Sequence, residues 1–391
     1  MGSYFLDDAI PRLKKINQLG AMAVRMDPPA ASGSDETGEE IYRNIVVLAD
    51  ILSGFCKEKN GGWGQLENDT LACFLPEKDD TACFKIGKKI QTLYRAQVNQ
   101  TVSLGVAHYP MLNFSKPQIF SNARKALNHA AFFGADSIVK FDAVSLNISG
   151  DEAYQRGNIG EAIQEFKHAL KLNPADINVH NSLGVCYAEM SDWDEAIACF
   201  EAARWLDPDD VMAIYNMGLV HLSLEDSEKA LGLFLEANEI QSDVFEVLFQ
   251  TGRIYFENGE VEKGQDFFQK AVARRPTSAP ANRYLGDCYL KKEQIDEAVA
   301  AYKKTLKYNP NDAASLSAMG YLFDVQGENL EIATTFCEQS VAISPENGLY
   351  RYRLGKLYLK QNRQDKALEA LQAAAERGEK VDDLIEKLTI N

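Results

Sequence analysis

The chain has 391 residues, 46% apolar and 25% charged, with a formal net charge of −16, a composition that fits two or three globular domains and excludes a disordered chain. No apolar run approaches the ~20 residues of a membrane helix, and the start MGSYFLDDAIPRLKK lacks the apolar core and cleavage site of a secretory signal, so a cytoplasmic protein without membrane insertion is expected. Residues 1–142 hold 16 acids and 16 bases, residues 143–244 hold 19 and 5, and residues 245–391 hold 22 and 20, so phosphate is repelled by the middle of the chain and nucleic acid is not an expected partner, whereas a basic protein surface would be attracted.

The first 142 residues alternate helix and strand. DDAIPRLKKINQL has apolar residues at helical spacing, AMAVRM reads as a short strand, and GEEIYRNIVVLADILSGF as an amphipathic helix. Between the last two lies DPPAASGSDETGE, a polar stretch with adjacent prolines that reads as a mobile loop. GGWG then leads into LACFL, a strand; DTACFKIGKKIQTLYRA reads as a helix, QTVSLGVAHY as a strand, and KPQIFSNARKALNHAAFFG as a helix running into SIVKF. The expected architecture is an α/β sandwich around a mixed sheet. GGWG lacks the GxxxxGK[ST] and GxGxxG spacings and no helix start follows it, so it is expected to be a flexible lead into a β-hairpin and not a phosphate loop.

In order and in several strings this part resembles the GGDEF domain of bacterial diguanylate cyclases, a nucleotidyl-cyclase-like α/β fold. QTVSLGVAHYP resembles the strand after that domain's third helix, ARKALNHAAFFGADSIVKFD its last helix and closing strand, and LACFLP the strand after the signature. The signature would then fall on Glu67-Asn68-Asp69-Thr70-Leu71. In the active family two glycines let the hairpin approach a triphosphate and the acids serve metal binding and catalysis. Here side chains replace both glycines, Thr70 replaces a carboxylate, and Asp69 alone survives. Asp27 is the candidate for the metal-binding aspartate after the first strand, and one such pair, Asp27 and Asp69, would neutralise two Mg²⁺ and a triphosphate poorly. The guanine-recognising residues would lie in AASGSDETG, and the inhibitory RxxD would fall on Glu58-Lys59-Asn60-Gly61, where arginine and aspartate are both missing. The resemblance therefore implies a degenerate domain without cyclase activity or cofactor, with residual GTP binding without turnover as an alternative.

From Gly150 glycine recurs at Gly184, Gly218, Gly252, Gly286, Gly320 and Gly355, at intervals of 34 and finally 35. Twelve residues after each comes Ala162, Ala196, Ala230, Gly264, Ala298, Ala333 (one late) and Ala367; prolines close units at Pro174, Pro208, Pro276, Pro310 and Pro345. Small residues at two fixed positions let two helices approach closely, and proline stops the second. Large residues such as Tyr187, Phe200, Tyr255, Phe268, Tyr289 and Tyr302 are expected to fill the space between units. The series resembles the 34-residue tetratricopeptide repeat (TPR). Seven repeats then span 143–381, starting near 143, 177, 211, 245, 279, 313 and 348, with the extra residue in the Gly327-Glu328-Asn329 turn; 382–391 ends a capping helix.

That resemblance implies an all-α superhelix whose concave face falls at the fifth, ninth and twelfth residues of each unit. The positions selected as a partner-binding groove are Asn181, Tyr215, Leu219, Leu222, Phe249, Arg253, Phe256, Arg283, Asp287, Tyr321, Tyr352 and Lys356, of which Tyr215, Leu219 and Phe249 are expected to be dispensable for stacking. The lysine and asparagine pattern of repeats that clamp a terminal carboxylate is missing. Seven cysteines without CxxC spacing and five scattered histidines indicate neither a disulfide framework nor a metal site. The expected function is a non-enzymatic adaptor: the groove takes a protein partner, basic or presenting an amphipathic helix or extended peptide, and the α/β domain serves as docking or regulatory surface. Alternative readings are a regulator responsive to GTP or cyclic di-GMP and a residual cyclase.

Overall fold

A computed structural model of the chain describes residues 2–28, 38–67, 69–98 and 100–389. The loop expected at 27–39 and the segment AASGSDETG lie largely outside the described residues, as does Asn68. The chain forms two compact units, Met1–Asp210 and Val211–Asn391.

The first unit opens with α1 (Gly2–Leu13), β1 (Leu19–Met26), α2 (Gly38–Glu58), β2 (Gly62–Glu67), β3 (Thr70–Pro76), α3 (Asp80–Gln97), β4 (Val102–Tyr109), α4 (Gln118–Ala130), a 3-10 turn at Ala131–Phe133 and β5 (Ile138–Lys140). The sheet order is β2-β3-β1-β4-β5; β4 and β5 are parallel and the other pairs antiparallel, giving the mixed sheet. α1 starts five residues earlier than the sequence pattern suggests, because Phe5, Ala9 and Leu13 form an i, i+4 stripe buried against the sheet. Leu19, expected in that helix, instead pairs with Pro76 and Tyr109 across both neighbouring strands.

GGWG is also corrected. Gly62, Trp63 and Gly64 lie within β2, paired with Phe74, Cys73 and Ala72, so they belong to the hairpin and do not lead into it. A Cβ at Gly64 would lie 2.7 Å from the Phe5 side chain, and one at Gly61 would lie 2.2 Å from the Phe74 carbonyl oxygen. These glycines are required by close packing of α1 and β3.

Two apolar layers cover the sheet. Leu48, Leu52, Ile90 and Tyr94 of α2 and α3 close one face over Met22, Val24, Leu104 and Val106. On the other face α4 lies directly on β4, where a Cβ at Gly105 would come within 2.0 Å of the Ala123 carbonyl oxygen. The core on this face continues through Phe120, Leu127 and Phe141 into Leu146, Phe166 and Leu183. These belong to α5 (Ala143–Gln155), α6 (Ile159–Leu172) and α7 (Ile177–Glu189), which with α8 (Trp193–Leu206) complete the unit.

The second unit comprises α9 (Val211–Ser223), α10 (Ser227–Ile240), α11 (Phe245–Glu257), α12 (Val261–Arg274), α13 (Ala279–Lys291), α14 (Ile295–Tyr308), α15 (Ala313–Val325), α16 (Leu330–Ile343), α17 (Gly348–Lys360), α18 (Gln364–Ala375) and α19 (Asp382–Thr389). The turn between α15 and α16 holds four residues where the other pairs have three, which absorbs the extra residue of the period. Leu384, Ile385 and Leu388 of α19 pack on Leu371, Ala374 and Val381.

One contact explains the period in both units. A Cβ at Gly184 or Gly218 would lie 2.5 or 2.4 Å from the Phe200 or Phe234 ring; Gly286 meets Tyr302 at 2.8 Å and Gly355 meets Leu371 at 2.8 Å. Each glycine thus seats a large side chain of the second helix of its own pair. The expectation that Phe200, Phe268 and Tyr302 fill the space between units is corrected accordingly: they first fill the space within one. Phe268 also reaches the next pair, with its ring stacked 5.1 Å from Tyr284. Buried alanines at 162, 196, 230, 298, 333 and 367 complete the close approach.

Candidate functional site

The two vestigial metal candidates lie at one end of the sheet, since the register places Arg25 opposite Thr70. Asp27 is buried. Its Oδ1 accepts from Ser103 Oγ at 2.6 Å; its Oδ2 accepts from Thr101 Oγ1 at 2.7 Å and from the Asp136 amide at 2.7 Å. Three donors take up most of its acceptor capacity, and through them the carboxylate ties β1 to β4 and to the turn before β5. Asp69 is exposed in the β2–β3 turn and accepts from Thr70 Oγ1 at 2.9 Å. Among the described residues no three His, Cys, Asp or Glu side chains gather as a metal-ligand set.

The positions selected for the groove separate by environment. In the first unit, Asn181 donates from Nδ2 to Asp210 Oδ2 at 2.7 Å, while its Oδ1 is buried without a hydrogen-bond partner. In the second unit Tyr215 is only 9% exposed and its ring lies 5.6 Å from Phe234. Burial pushes its phenol upward in pKa. Phe249 is ringed by Phe245, Phe268 and Tyr284 at 5.8–6.0 Å, and Phe256 meets Tyr284 at 5.8 Å. Tyr215 and Phe249 are therefore part of the packing, correcting the expectation that stacking does not need them: a long aromatic side chain on an inward position folds over onto the neighbouring helices. Leu219 and Leu222 are half-buried.

The charged positions engage one another. Arg253 donates to Gln250 Oε1 at 3.1 Å and pairs with Glu257 at 3.4 Å on its own helix. Arg283 lies 3.5 Å from Asp287 and 3.8 Å from Asp312, with its guanidinium 4.3 Å from the Tyr284 ring centroid. Asp287 accepts from the Tyr302 hydroxyl at 2.6 Å. Burial drives its carboxyl upward, against the opposing pull of Tyr302 and Arg283. This network joins α13, α14 and the start of α15.

Tyr321, Tyr352 and Lys356 converge. They line a cavity of about 240 Å³ together with Asp324, Leu349, Arg353 and Leu357. The Arg353 guanidinium lies 5.0 Å from the Tyr321 ring centroid and donates to Ser317 Oγ at 3.0 Å; Lys356 Nζ lies 5.5 Å from the Tyr352 ring centroid. Asp324 is engaged by Lys360 at 2.6 Å. Among the described residues neither Arg353 nor Lys356 closes an ion pair with a carboxylate, although the Arg353 charge is felt by the buried Asp287 of α13. The cavity thus offers two cations over aromatic faces, a setting suited to an anionic side chain with apolar neighbours. Sequence reasoning did not select Arg353, Leu349 or Leu357, because counting fixed positions per repeat overlooks side chains reaching into the gap between α15 and α17.

Comparison with known proteins identifies the helical part. Models of the tetratricopeptide repeat match residues 150–191, 177–210, 215–279, 255–320 and 330–381. Human "Tetratricopeptide repeat protein 21B" is 33% identical over 103 residues, which are 26% of this chain and 8% of that protein. The chain therefore spans a small fraction of that relative. The solved structure of pilF from Pseudomonas aeruginosa superposes with a TM-score of 0.50 at 18% identity, over 54% of this chain and 95% of that one. A tetratricopeptide repeat protein from Parabacteroides merdae aligns with a TM-score of 0.44 at 18% identity, over 64% and 99%. With a glycine seated under a large side chain at nearly every period and these models covering most of residues 150–381, the helical part of this chain is an array of tetratricopeptide repeats.

Proposed function

We propose that this chain is a non-enzymatic adaptor whose tetratricopeptide repeats hold a protein partner through the cavity between α15 and α17. The single observation that carries the reading is the pair of cations, Arg353 and Lys356, set against Tyr321 and Tyr352 in a cavity whose one lining carboxylate, Asp324, is taken by Lys360. A partner segment that places an acidic side chain there, flanked by apolar residues, satisfies both the charges and the rings. The acid-rich stretch 143–244 by itself favours basic protein surfaces.

In this proposal residues 1–142 are a degenerate GGDEF-like domain kept for docking or regulation, followed by seven repeats over 143–381. The engagement of the Asp27 carboxylate by three protein donors, and an exposed Asp69 that accepts from Thr70, support the loss of a two-metal centre. The competing reading, a regulator responsive to GTP or cyclic di-GMP, predicts heat on titration of the full chain with either ligand and Mg²⁺.

The test is affinity capture from the native cells with the wild-type chain and with a Tyr321→Ser, Lys356→Glu variant, both side chains reaching solvent. The variant should fold as the wild type does and lose the partner. Equal recovery by both chains would remove the cavity from the proposal, and millimolar-range nucleotide binding in calorimetry would favour the regulator.

A further inference from the structure

Two adjacent aromatic side chains stand in solvent beside an open sheet edge. Phe132 and Phe133 are 74% and 67% exposed, in the turn that precedes β5, the terminal strand of the sheet. Burying such rings is worth roughly 2 kcal/mol each, so a contiguous pair left in water marks a contact surface more readily than a scattered single residue would.

The edge itself is available. β5 pairs with β4 through Ser137 O, which accepts from Leu104 N, and Phe141 N, which donates to Val106 O. By the alternation of a parallel ladder, the amide and carbonyl groups of Ile138 and Lys140 then face away from the sheet. A lysine on an edge strand ordinarily guards against pairing. Here Lys140 is folded back onto the start of α3, with Nζ 3.1 Å from Asp80 and 2.9 Å from Thr81 Oγ1. The opposite edge, β2, is interrupted by an irregularity between Gln65 and Glu67, a protection β5 does not have.

The surroundings specify an occupant. Beside β5 lies an open cavity of about 530 Å³ bordered by Phe84, Lys88, His129 and Phe133, and by two carboxylates already engaged, Asp136 by Arg95 and Asp142 by the Ser145 amide and hydroxyl. Ile138 and Lys140 face α3, since a Cβ at Gly87 of that helix would lie 2.4 Å from Ile138 Cδ1; Val139 therefore faces the side of α4, where the Phe133 ring lies 5.4 Å from His129. On the α3 side Lys88 rests 5.8 Å from the Phe84 ring centroid and has no carboxylate partner among the described residues. A strand laid along β5 would point every second side chain at a lysine and the others at Val139 and Phe133.

We infer that the free edge of β5 is a docking site for an extended segment of a partner protein that alternates acidic and apolar residues and adds to the sheet as a sixth strand. Its main chain bonds to Ile138 and Lys140, its acids meet Lys88, and its apolar residues cover Phe133 and Val139. This site lies in the first unit and does not depend on the repeat cavity.

The test uses the full chain and three fluorescein-labelled heptapeptides: alternating Val and Glu, alternating Val and Lys, and the Val/Glu sequence with its alternate amides N-methylated. The Val/Glu peptide should bind saturably and about tenfold or more tighter than either control, a difference of ~1.4 kcal/mol. Lys88→Glu should reverse the preference between Val/Glu and Val/Lys, and Phe132→Ser with Phe133→Ser should weaken binding about tenfold. The Lys356→Glu variant should bind like wild type. Equal affinity for the three peptides, or binding indifferent to these substitutions, would overturn the inference. A homodimer in sedimentation that dissolves on Phe132→Ser, Phe133→Ser would assign the edge to a second copy and overturn it likewise.

Discussion

Lys125 Nζ lies 2.6 Å from both carboxylate oxygens of Glu165, and each side chain is only 12% exposed. The pair joins α4 of the α/β layer to α6 of the helical part, beside the T-shaped contact of Phe114 with Phe141 and the hydrogen bond between His129 and Ser145. Because both ions are largely desolvated, removing one leaves the other buried and unpaired. Glu165→Ala should destabilise the protein by about 3 kcal/mol, whereas Lys125→Met with Glu165→Leu should lose far less or nothing. Urea unfolding followed in the first unit checks this. Equal losses would show that the site needs the charges themselves and not merely their mutual neutralisation.

The turns within the helical pairs carry a second prediction. Each places one residue in the left-handed region: Gly157, Gly259 and Gly327, but also Ser191, Glu225, Glu293 and Asn362. Glycine adopts that conformation freely, and a residue with a Cβ does so at a cost of roughly 1 kcal/mol. Glu293→Gly should therefore stabilise the second unit by about 0.5 kcal/mol after the greater freedom of the unfolded glycine is subtracted. Gly259→Ala, in an uncrowded turn where nothing lies within 4 Å of the new Cβ, should destabilise by about 0.5 kcal/mol by the same subtraction. A shift of opposite sign in thermal melting of either variant would contradict the turn geometry.

The packing role of the inward aromatics is separable from binding. Tyr215→Ala should cost about 3 kcal/mol, and Phe249→Ala, half-buried among three rings, about 2 kcal/mol. Tyr321→Ser and Lys356→Glu, at the mouth of the cavity, should each stay within about 0.5 kcal/mol of wild type. Denaturant midpoints of the four variants decide it. Partner loss in Tyr215→Ala or Phe249→Ala would then carry no information about contact unless folding is measured in the same samples.

These contrasts show what a sequence can carry. The period was legible because its cause is local: Gly184 and Phe200 sit on successive helices joined by one short turn, and the same small-under-large contact recurs with nearly the same spacing. Four of the five strands were legible as short apolar runs, as in β4, which is buried along most of its length. The role of the early glycines was not, since Gly64 is small on account of Phe5, which is distant in sequence and lies in a helix whose start the pattern missed. Tyr215 was misjudged for a related reason: position in the repeat gives the direction of its Cβ, but the ring's resting place depends on Phe234. Arg353 escaped because the cavity is formed by two neighbouring first helices, and no single repeat contains it.

His221 gives the stability a defined dependence on pH. The imidazole is buried in α9 and neither ring nitrogen has a hydrogen-bond partner. Burial lowers its pKa below the ordinary value of 6.5, helped by Lys229 and opposed by Asp226, whose carboxylate lies 3.8 Å from Nδ1. The unfolded chain therefore binds a proton at this site at a pH where the folded chain does not. The contribution of His221 is complete above about pH 6.5, declines as pH falls from there to the lower folded pKa, and levels off below it. His168 shifts in the same direction, also chiefly through burial. Asp151 and Asp287 work the other way, since burial raises their carboxyl pKa values and favours the folded state as pH falls. The discriminating measurement is thus the difference between wild type and His221→Phe. Urea midpoints compared at pH 7.5 and pH 5.5 should fall more in the wild type, and an NMR titration of the His221 ring should place its pKa below 6.5. A midpoint difference that does not change between the two pH values would mean that this imidazole is protonated as easily in the folded chain as in the unfolded one.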